Sequence, residues 1–195
     1  MSALTERTDP QSIMQWINRA KQGDSEAVGM LYEAHRLSIY RYLYYRTGDG
    51  QTADDLTSEV FLRMIRALPG YRIQDVSFQA WLFQIAHNLL NDHYRKSSVR
   101  KAVQLEDNMV MEDPTLKRSR PVERSLNSVV LQKALEGLSV DQRDVIVLRF
   151  IAGMPINEVA QALQKSEDAI KGLQRRALLA LRGVLKEWEI HYAEL

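Results

Sequence analysis

Apolar residues recur every three or four positions along most of the chain, and this periodicity limits the possible folds more than any other feature. In the first half it runs through four segments, 13–20, 28–44, 56–68 and 78–90. No segment alternates apolar and polar residues for long enough to form a sheet. The sequence therefore predicts an all-α protein.

Capping residues and helix breakers divide this pattern into separate helices. The predicted N-caps are Asp24, Thr52, which forms a capping-box pattern with Asp55, and Ser77. The predicted breaks are Gly23, Gly48-Asp49-Gly50, Pro69-Gly70 and the segment 95–98. We therefore expect four helices in the first half of the chain.

The periodicity is lost between residues 99 and 124, where charged residues and two prolines interrupt it. Because a structureless connection of this length is uncommon inside one compact domain, it predicts a linker. Helical pattern returns from Leu126 to Leu138 and, after a capping-box pattern formed by Ser139 and Gln142, continues to Gly153. We expect two small helical domains, at residues 11–97 and 125–188, joined by a flexible linker at residues 98–124.

The segment 155–182 has the pattern of a helix-turn-helix. A short helix from Pro155 to Leu163, a tight turn at Gln164-Lys165 and a long helix capped by Ser166 follow one another. On the long helix we expect a buried face of Ile170, Ala177 and Leu181 and an outer face of Lys171, Arg175, Arg176 and Arg182. This outer charge favours DNA binding in the major groove. A helical hairpin with a basic solvated face is the alternative.

Aromatic side chains are interleaved with polar and basic ones between Tyr71 and Lys96. This mixture is typical of single-stranded nucleic-acid binding, because bases stack on aromatic rings while cations hold phosphates. Phe78, Trp81 and Ile85 nevertheless have the spacing of a buried helix face, which is the more ordinary interpretation of an aromatic stripe.

Acidic residues open the third helix at Asp54 and Asp55, where carboxylates complement the helix dipole. Glu59 and Arg63 lie four residues apart and can form an ion pair on the helix surface. Helix stability is sufficient to explain these charges when they are taken alone.

The residue inventory gives little support to catalysis. The chain has no cysteine, and His87 and His93 lie on different faces of their helix, which suits no shared metal. No phosphate-binding loop, His-Glu-x-x-His or Gly-x-Ser-x-Gly pattern occurs. The N-terminus is polar and no apolar run is long enough for a membrane span, so we expect a cytoplasmic protein that is not an enzyme.

Together these segments resemble the bacterial extracytoplasmic-function (ECF) sigma factors of the sigma-70 family. The matching strings are LYE at 31–33, ADDLTSEVFLR at 53–63, ALPGYR at 67–72, SFQAWLFQIAHN at 77–88 and DVIVLR at 144–149, followed by the helix-turn-helix. Several independent strings in the right order make the resemblance specific.

The resemblance implies three binding surfaces. The third helix would bind core RNA polymerase through Asp54, Asp55, Leu56, Glu59, Phe61 and Arg63. The unpaired minus-ten strand would be captured by Tyr71, Arg72, Ser77, Gln84, His87, Asn88, Asn91, Arg95 and Lys96. The minus-35 major groove would be read by Ser166, Glu167, Asp168, Lys171, Gly172, Arg175 and Arg176.

The resemblance also implies partners and chemistry. The expected partners are core RNA polymerase, promoter DNA and an anti-sigma factor, with no membrane insertion, no cofactor, no metal and no catalytic residue. A helical interaction protein without a nucleic-acid role is the alternative from another class. A regulator that uses only the helix-turn-helix is a nearer alternative, but it would not need the acidic and aromatic segments of the first half.

The chain departs from the family pattern at identifiable positions. Ser58 replaces the usual Gln before the Glu of the polymerase-binding helix, and Gln164 replaces the Gly of the turn. At the start of the recognition helix, Asp168-Ala169 replaces the usual Gly-Thr, and Gly172-Leu173 replaces the usual Ser-Arg. Glu167 and Asp168 place two negative charges where a phosphate would approach, so they act as caps, accept from cytosine amino groups or weaken binding.

Overall fold

A computed structural model describes residues 10–72, 75–106 and 126–193, with side chains over 11–72, 75–96 and 130–183. Its first helical group comprises α1 (Pro10–Lys21), α2 (Ser25–Thr47), α3 (Gly50–Ala67) and α4 (Phe78–Glu106), with a 3-10 turn at Leu68–Gly70. In this group α1 packs on α2, α2 on α3 and α3 on α4.

The second helical group comprises α5 (Leu126–Glu136), α6 (Val140–Ile146), α7 (Ile156–Leu163) and α8 (Glu167–Ala193). The helix of α6 continues into one wider π-helical turn, Val147–Ile151. Helices α5, α6 and α7 all pack against α8. The residues that the structure describes contain no strand, which confirms the predicted all-α class.

Several helix ends follow from capping side chains. Asp24 Oδ1 accepts from the backbone N–H groups of Glu26 and Ala27, at 3.0 and 3.2 Å. Ser139 and Gln142 form the predicted reciprocal capping box at the start of α6. Each cap satisfies helix N–H groups that have no partner within the helix. The predictions at these two helix starts are confirmed.

The start of α3 differs from the prediction. Gly48 takes a left-handed conformation, with φ of 74°, and its N–H bonds to the Tyr44 carbonyl to end α2. The chain is already extended at Asp49, whose Oδ2 accepts from the Thr52 N–H at 2.7 Å. Asp49 is therefore the N-cap, and the prediction that Thr52 caps this helix is wrong.

Helix α4 is longer than the sequence pattern predicted. It continues to Glu106 instead of ending near residues 95–98. The reason is that no glycine or proline follows before Pro114, and serine, lysine and arginine do not by themselves stop a helix. Residues 107–124 of the predicted linker lie outside the described residues.

One apolar core runs through both groups. In the first group it includes Ile17, Leu31, Leu43, Met64 and Leu82, and in the second Leu135, Val145, Leu148, Val159 and Ile170. Full burial of a side chain of this size stabilises a fold by about 1.5–3 kcal/mol. The groups meet where α7 packs on α4 and where the π-helical turn packs on α2.

Candidate nucleic-acid and polymerase interfaces

Helices α7 and α8 form a helix-turn-helix around one left-handed residue. Gln164 has φ of 54° and ψ of 44°, and its N–H bonds to the carbonyls of Ala160 and Gln161. Lys165 N–H returns to the Ala160 carbonyl at 3.0 Å, and Ser166 Oγ accepts from the Ala169 N–H at 3.2 Å. The turn has the geometry that usually favours glycine, and the chain makes it with glutamine.

The two faces of α8 separate as the sequence predicted. Ile170 and Ala177 are fully buried, and Leu181 packs partly against the core. The cations of the opposite face are all exposed: Lys171, Arg175, Arg176 and Arg182. Arg149 Nε donates to Gln174 Oε1 at 3.1 Å and its guanidinium also donates to the Met154 carbonyl, which ties α8 to the end of the π-helical turn.

Two carboxylates reduce the positive charge at the start of α8. Glu167 and Asp168 are exposed, and their oxygens lie 3.8 and 3.3 Å from Lys171 Nζ. Of the remaining predicted minus-35 positions, Ser166 lies just before α8 and caps its first turn, and Gly172 lies one turn before Arg175 and Arg176. The net positive charge of the outer face is therefore centred on Arg175 and Arg176, about one turn beyond Lys171.

The outer face of α3 carries the predicted polymerase-binding charges. Asp54 and Asp55 are exposed, and Glu59 pairs with Arg63 at 2.9 Å. Leu56 and Phe61 are 7% and 4% exposed, and Phe61 packs against Tyr32. For these two residues the structure contradicts a surface role: they hold α3 in the core.

Two apolar residues of α3 lie on its surface and were missed in the sequence. Leu62 is 48% exposed and Ile65 is 45% exposed. Ile65 continues the period that predicts the buried face of α3, whereas Leu62 falls between the positions of that face, so periodicity singles out neither as part of an exposed apolar pair. Exposed apolar side chains surrounded by polar ones are a common composition of a protein-binding surface.

Tyr71 is buried and shapes the loop before α4. Its O–H donates to the Val76 carbonyl at 2.8 Å, and its ring lies 4.6 Å from the Trp81 ring, centroid to centroid. Burial raises the pKa of Tyr71 to about 12, with a smaller contribution from the charge of Glu158. The ring of Tyr71, a predicted minus-ten residue, therefore lies in the core and not on the surface.

The neighbouring loop residues have different roles. Arg72 is exposed, whereas Ser77 Oγ accepts from the Ala80 N–H at 3.2 Å as the cap of α4. Residues 73 and 74, between these two, lie outside the described residues. Trp81 packs against the core with part of its ring exposed, in agreement with its predicted core assignment.

The remaining minus-ten candidates form a polar stripe along α4: Gln84, His87, Asn88, Asn91 and Arg95, followed by Lys96. Arg95 and Lys96 are exposed at the far end of the stripe, whereas Gln84 and His87 are partly covered. Arg95 also pairs with Asp92 at 2.9 Å.

A buried polar cluster, which we call the Asp144 cluster, joins α2 and α4 to α6 and was not predicted. Arg46 Nε and the Tyr42 O–H both donate to Asp144 Oδ1, at 2.6 and 2.8 Å. Tyr42 also bonds to His87 Nδ1 at 3.1 Å. Burial lowers the pKa of His87 and raises that of Tyr42 well above its ordinary value. The sequence offers only a weak signal for this cluster: one charged residue stands beside an apolar run at Arg46 and again at Asp144.

Within the described residues no three His, Cys, Asp or Glu side chains are placed to hold a metal ion. None of the helices there combines the length and apolarity needed to cross a membrane.

Family models match both helical groups. Residues 31–100 match Sigma-70 region 2, and residues 134–183 match Sigma-70, region 4. The chain is 36% identical over 180 residues to the ECF RNA polymerase sigma factor BldN of Streptomyces coelicolor. The aligned region covers 92% of this chain and 68% of that protein. It is 31% identical over 161 residues to the ECF RNA polymerase sigma factor SigX of Bacillus subtilis, covering 80% and 82% of the two chains.

Solved structures show the same fold. CnrH in complex with the cytosolic domain of CnrY has a TM-score of 0.68 at 26% identity, covering 88% of this chain and 96% of that one. The sigma factor RpoE in complex with the anti-sigma factor NepR, from Bartonella quintana, has a TM-score of 0.66 at 23% identity, covering 81% and 96%. The chain belongs to the ECF RNA polymerase sigma factors, alternative sigma factors that initiate transcription through minus-ten and minus-35 recognition.

Proposed function

We propose a division of promoter recognition between two domains, residues 11–97 and 125–188, which the segment 98–124 connects; α4 extends into this segment as far as Glu106. The first domain binds core polymerase through α3 and the minus-ten strand through α4. The second reads the minus-35 duplex through α8. The single observation that supports this most strongly is α8, whose inward face is buried while its outward face is cationic beside a helix-turn-helix turn.

For minus-35 recognition, Arg175 is the residue that we expect to contact a base edge. Its side chain is exposed on the outer face of α8, beyond the carboxylates of Glu167 and Asp168. Arginine reads guanine through paired hydrogen bonds, and the loss of such a contact costs about 1–3 kcal/mol.

For polymerase binding, the proposal extends the predicted surface to Leu62 and Ile65. Asp54 and Asp55, about two turns earlier on α3, and these two apolar residues together give the helix an exposed surface of acidic and apolar side chains. We expect the double variant Leu62→Ser and Ile65→Ser to weaken binding to core polymerase by about tenfold or more. Met14→Ser is the matched control, since Met14 is 46% exposed on α1.

The chain acts as a transcription factor and not as an enzyme in this proposal, and it works in the cytoplasm. An anti-sigma factor is its proposed regulator. The support for a protein regulator is CnrH, a structural relative that was captured with the cytosolic domain of another protein.

The central test is initiation by purified core polymerase on a promoter library, with and without this chain. We expect core binding, and transcripts that start downstream of a shared pair of elements. On a recovered promoter, Arg175→Ala should weaken binding to the upstream duplex, and Asn88→Ala should impair strand opening more than upstream binding. Arg41→Ala and Asn18→Ala, both at exposed positions of the first group, are the controls.

A chain that neither binds core polymerase nor directs initiation would contradict the proposal. If Arg175→Ala leaves the duplex affinity unchanged, Arg175 is a solvated surface residue that contacts no base. Equal loss of duplex binding and opening in Asn88→Ala would reject the role of α4 in strand capture.

A further inference from the structure

The loop before α4 begins at Tyr71, whose hydroxyl joins the two ends of the loop. The Tyr71 O–H donates to the Val76 carbonyl at 2.8 Å, and between them the Asp75 N–H donates to the Arg72 carbonyl at 3.2 Å. The Tyr71 N–H bonds to the Leu68 carbonyl at 3.1 Å, in the 3-10 turn that follows α3. These hydrogen bonds hold the start and the end of the loop at one separation.

Helix α1 contacts the same loop through its last residue, Lys21. The side chain of Lys21 is partly buried, its ammonium group donates to the Tyr71 carbonyl, and its Nζ lies 5.8 Å from the centre of the Tyr71 ring. Helix α1 also packs on the 3-10 turn Leu68–Gly70. A hydrogen bond from a charged donor is stronger than a neutral one, and a cation near an aromatic ring adds to the attraction. Lys21 therefore fixes the backbone of Tyr71 as well as its ring.

The Tyr71 ring is itself fixed by aromatic neighbours at the start of α4. Its centroid lies 5.6 Å from that of Phe78 and 4.6 Å from that of Trp81. Phe78 also contacts His35 of α2, with 5.3 Å between the ring centroids. Tyr71 and Phe78 are only 4% and 5% exposed. Because rings packed in a core have little freedom to move, the Tyr71 hydroxyl is kept in place to bond to Val76.

The residues directly beside this hydrogen bond belong to the proposed minus-ten surface. Arg72 follows Tyr71 in the chain, and its side chain is exposed. Ser77 follows Val76, and its Oγ accepts from the Ala80 N–H at 3.2 Å at the start of α4. The backbone contacts of Tyr71 consequently set where the Arg72 side chain and the first turn of α4 lie.

We propose that Tyr71 and Lys21 are positioning residues for capture of the minus-ten strand, which hold Arg72 and the start of α4 in the binding arrangement before the strand arrives. This inference rests on the proposed assignment of Arg72 and α4 to that strand. Neither Tyr71 nor Lys21 has to touch DNA. Segments that are already ordered lose less conformational entropy on binding, so the contacts of these two residues increase the affinity for the strand. Helix α1, which carries none of the predicted DNA-binding residues, thereby takes part in strand capture.

The test uses holoenzyme assembled from core polymerase and the full chain. The probes are the minus-ten single strand and the minus-35 duplex of a promoter recovered by the transcription assay. Tyr71→Phe removes the hydroxyl and retains the ring, whereas Lys21→Met removes the ammonium group and retains an unbranched side chain. Tyr45→Phe on α2 and Lys133→Met on α5 are the matched controls, because neither residue takes part in the hydrogen bonds that hold the loop.

We expect Tyr71→Phe and Lys21→Met each to weaken single-strand affinity by about three- to tenfold, which is the range set by the net contribution of one hydrogen bond. Duplex affinity should stay within about twofold of wild type, since α8 shares no partner with the loop and distant sites act independently. Both control variants should bind the strand as wild type does. Fluorescence anisotropy with each labelled probe measures these affinities.

A second measurement separates positioning from general destabilisation. It uses a series of minus-ten strands, in each of which one nucleotide is abasic and carries a neutral methylphosphonate linkage. Arg72→Ala identifies the nucleotide that Arg72 contacts, because there the modification no longer lowers the affinity. Tyr71→Phe and Lys21→Met should reduce the penalty at that same nucleotide and retain the penalties at nucleotides contacted by α4.

Unchanged single-strand affinity in both variants would overturn the proposal. An equal loss at every nucleotide, or a parallel loss of duplex affinity, would also overturn it, because either result indicates a destabilised chain and not a displaced loop. Circular dichroism checks the folding of each variant, and Lys21→Met decides the outcome if Tyr71→Phe does not fold. Wild-type holoenzyme that fails to bind the strand would instead contradict the proposed function, so the two failures are distinguishable.

Discussion

His35 is a titratable side chain whose stability effect has a defined sign. Its Nε2 is buried without a hydrogen-bond partner among the described residues, and its ring lies 5.3 Å from that of Phe78. Burial lowers the pKa of His35 from 6.5 to about 4. The unfolded chain therefore takes up a proton near pH 6.5 that the folded chain does not accept until about pH 4.

We expect the free energy of unfolding to fall as the pH decreases through this window, by up to roughly 3 kcal/mol from His35. Denaturant unfolding of wild type and His35→Gln across the window measures this contribution as the difference between their pH profiles. His93→Gln is the matched control on α4. Parallel profiles for wild type and His35→Gln would show that His35 is protonated equally in the folded and unfolded states.

Single residues also show what periodicity can and cannot predict. Ile170 and Ala177 were assigned correctly to the core, because a position on an amphipathic helix follows from local spacing. Ile65 continues the same spacing but is exposed, since burial depends on whether another element covers that side. Tyr71 was assigned to DNA because an aromatic ring near basic residues suits either a base or a core.

At the scale of elements, α8 contains a glycine where helix propensity opposes it. A Cβ at Gly172 would lie 3.4 Å from Arg176 Nη1, the flexible end of a side chain, so alanine fits. We expect Gly172→Ala to raise the free energy of unfolding by about 0.5–1 kcal/mol. If Gly172 allows close approach of the DNA backbone, the same change lowers affinity for the minus-35 duplex several-fold.

Gly29→Ala on α2 is the control for Gly172→Ala, since Gly29 is an exposed helical glycine where an added Cβ would meet nothing within 4 Å among the described residues. It should give a similar gain in stability, measured by denaturant unfolding, with no change in duplex affinity, measured by fluorescence anisotropy. Tighter or unchanged duplex binding by Gly172→Ala would contradict a close approach at this position.

Element boundaries were predictable where the chain carries its own signal. The capping box of Ser139 and Gln142 and the left-handed turn at Gln164 both follow from residues within one turn. The start of α3 did not, because Asp49 and Thr52 are both suitable caps and the conformation of Gly48 decides between them. The end of α4 carries no such signal, because the polar residues 95–98 do not stop a helix that meets no glycine or proline.

At the scale of the whole molecule, the contact between the groups could not be predicted from periodicity. Arg46 and Asp144 are separated by 98 positions, and no local pattern relates them. Their pairing depends on how two separately folded surfaces meet. The sequence predicts two domains and a linker but not this contact, through which one core continues from one group into the other.

The charge of the whole chain sets how strongly it attracts DNA without polymerase. The formal net charge is +1, and acidic residues outnumber basic ones before residue 60, whereas Lys171, Arg175, Arg176 and Arg182 are concentrated on α8. In the proposed role this face presents clustered cations to a minus-35 duplex, and Glu167 and Asp168 partly neutralise it. With this modest and partly neutralised charge, we expect the free chain to bind a minus-35 duplex only weakly.

This charge distribution predicts a shallow salt dependence for the free chain. Each phosphate neutralised contributes about −0.9 to the slope of log affinity against log salt concentration, so the cations of α8 allow a slope no steeper than about −4. Anisotropy titrations of the minus-35 duplex over a salt series measure this slope. Glu167→Gln combined with Asp168→Asn should tighten binding and steepen the slope by up to about one, because Lys171 is then free to contact phosphate. A wild-type slope steeper than about −6 would show that the free chain contacts DNA well beyond α8.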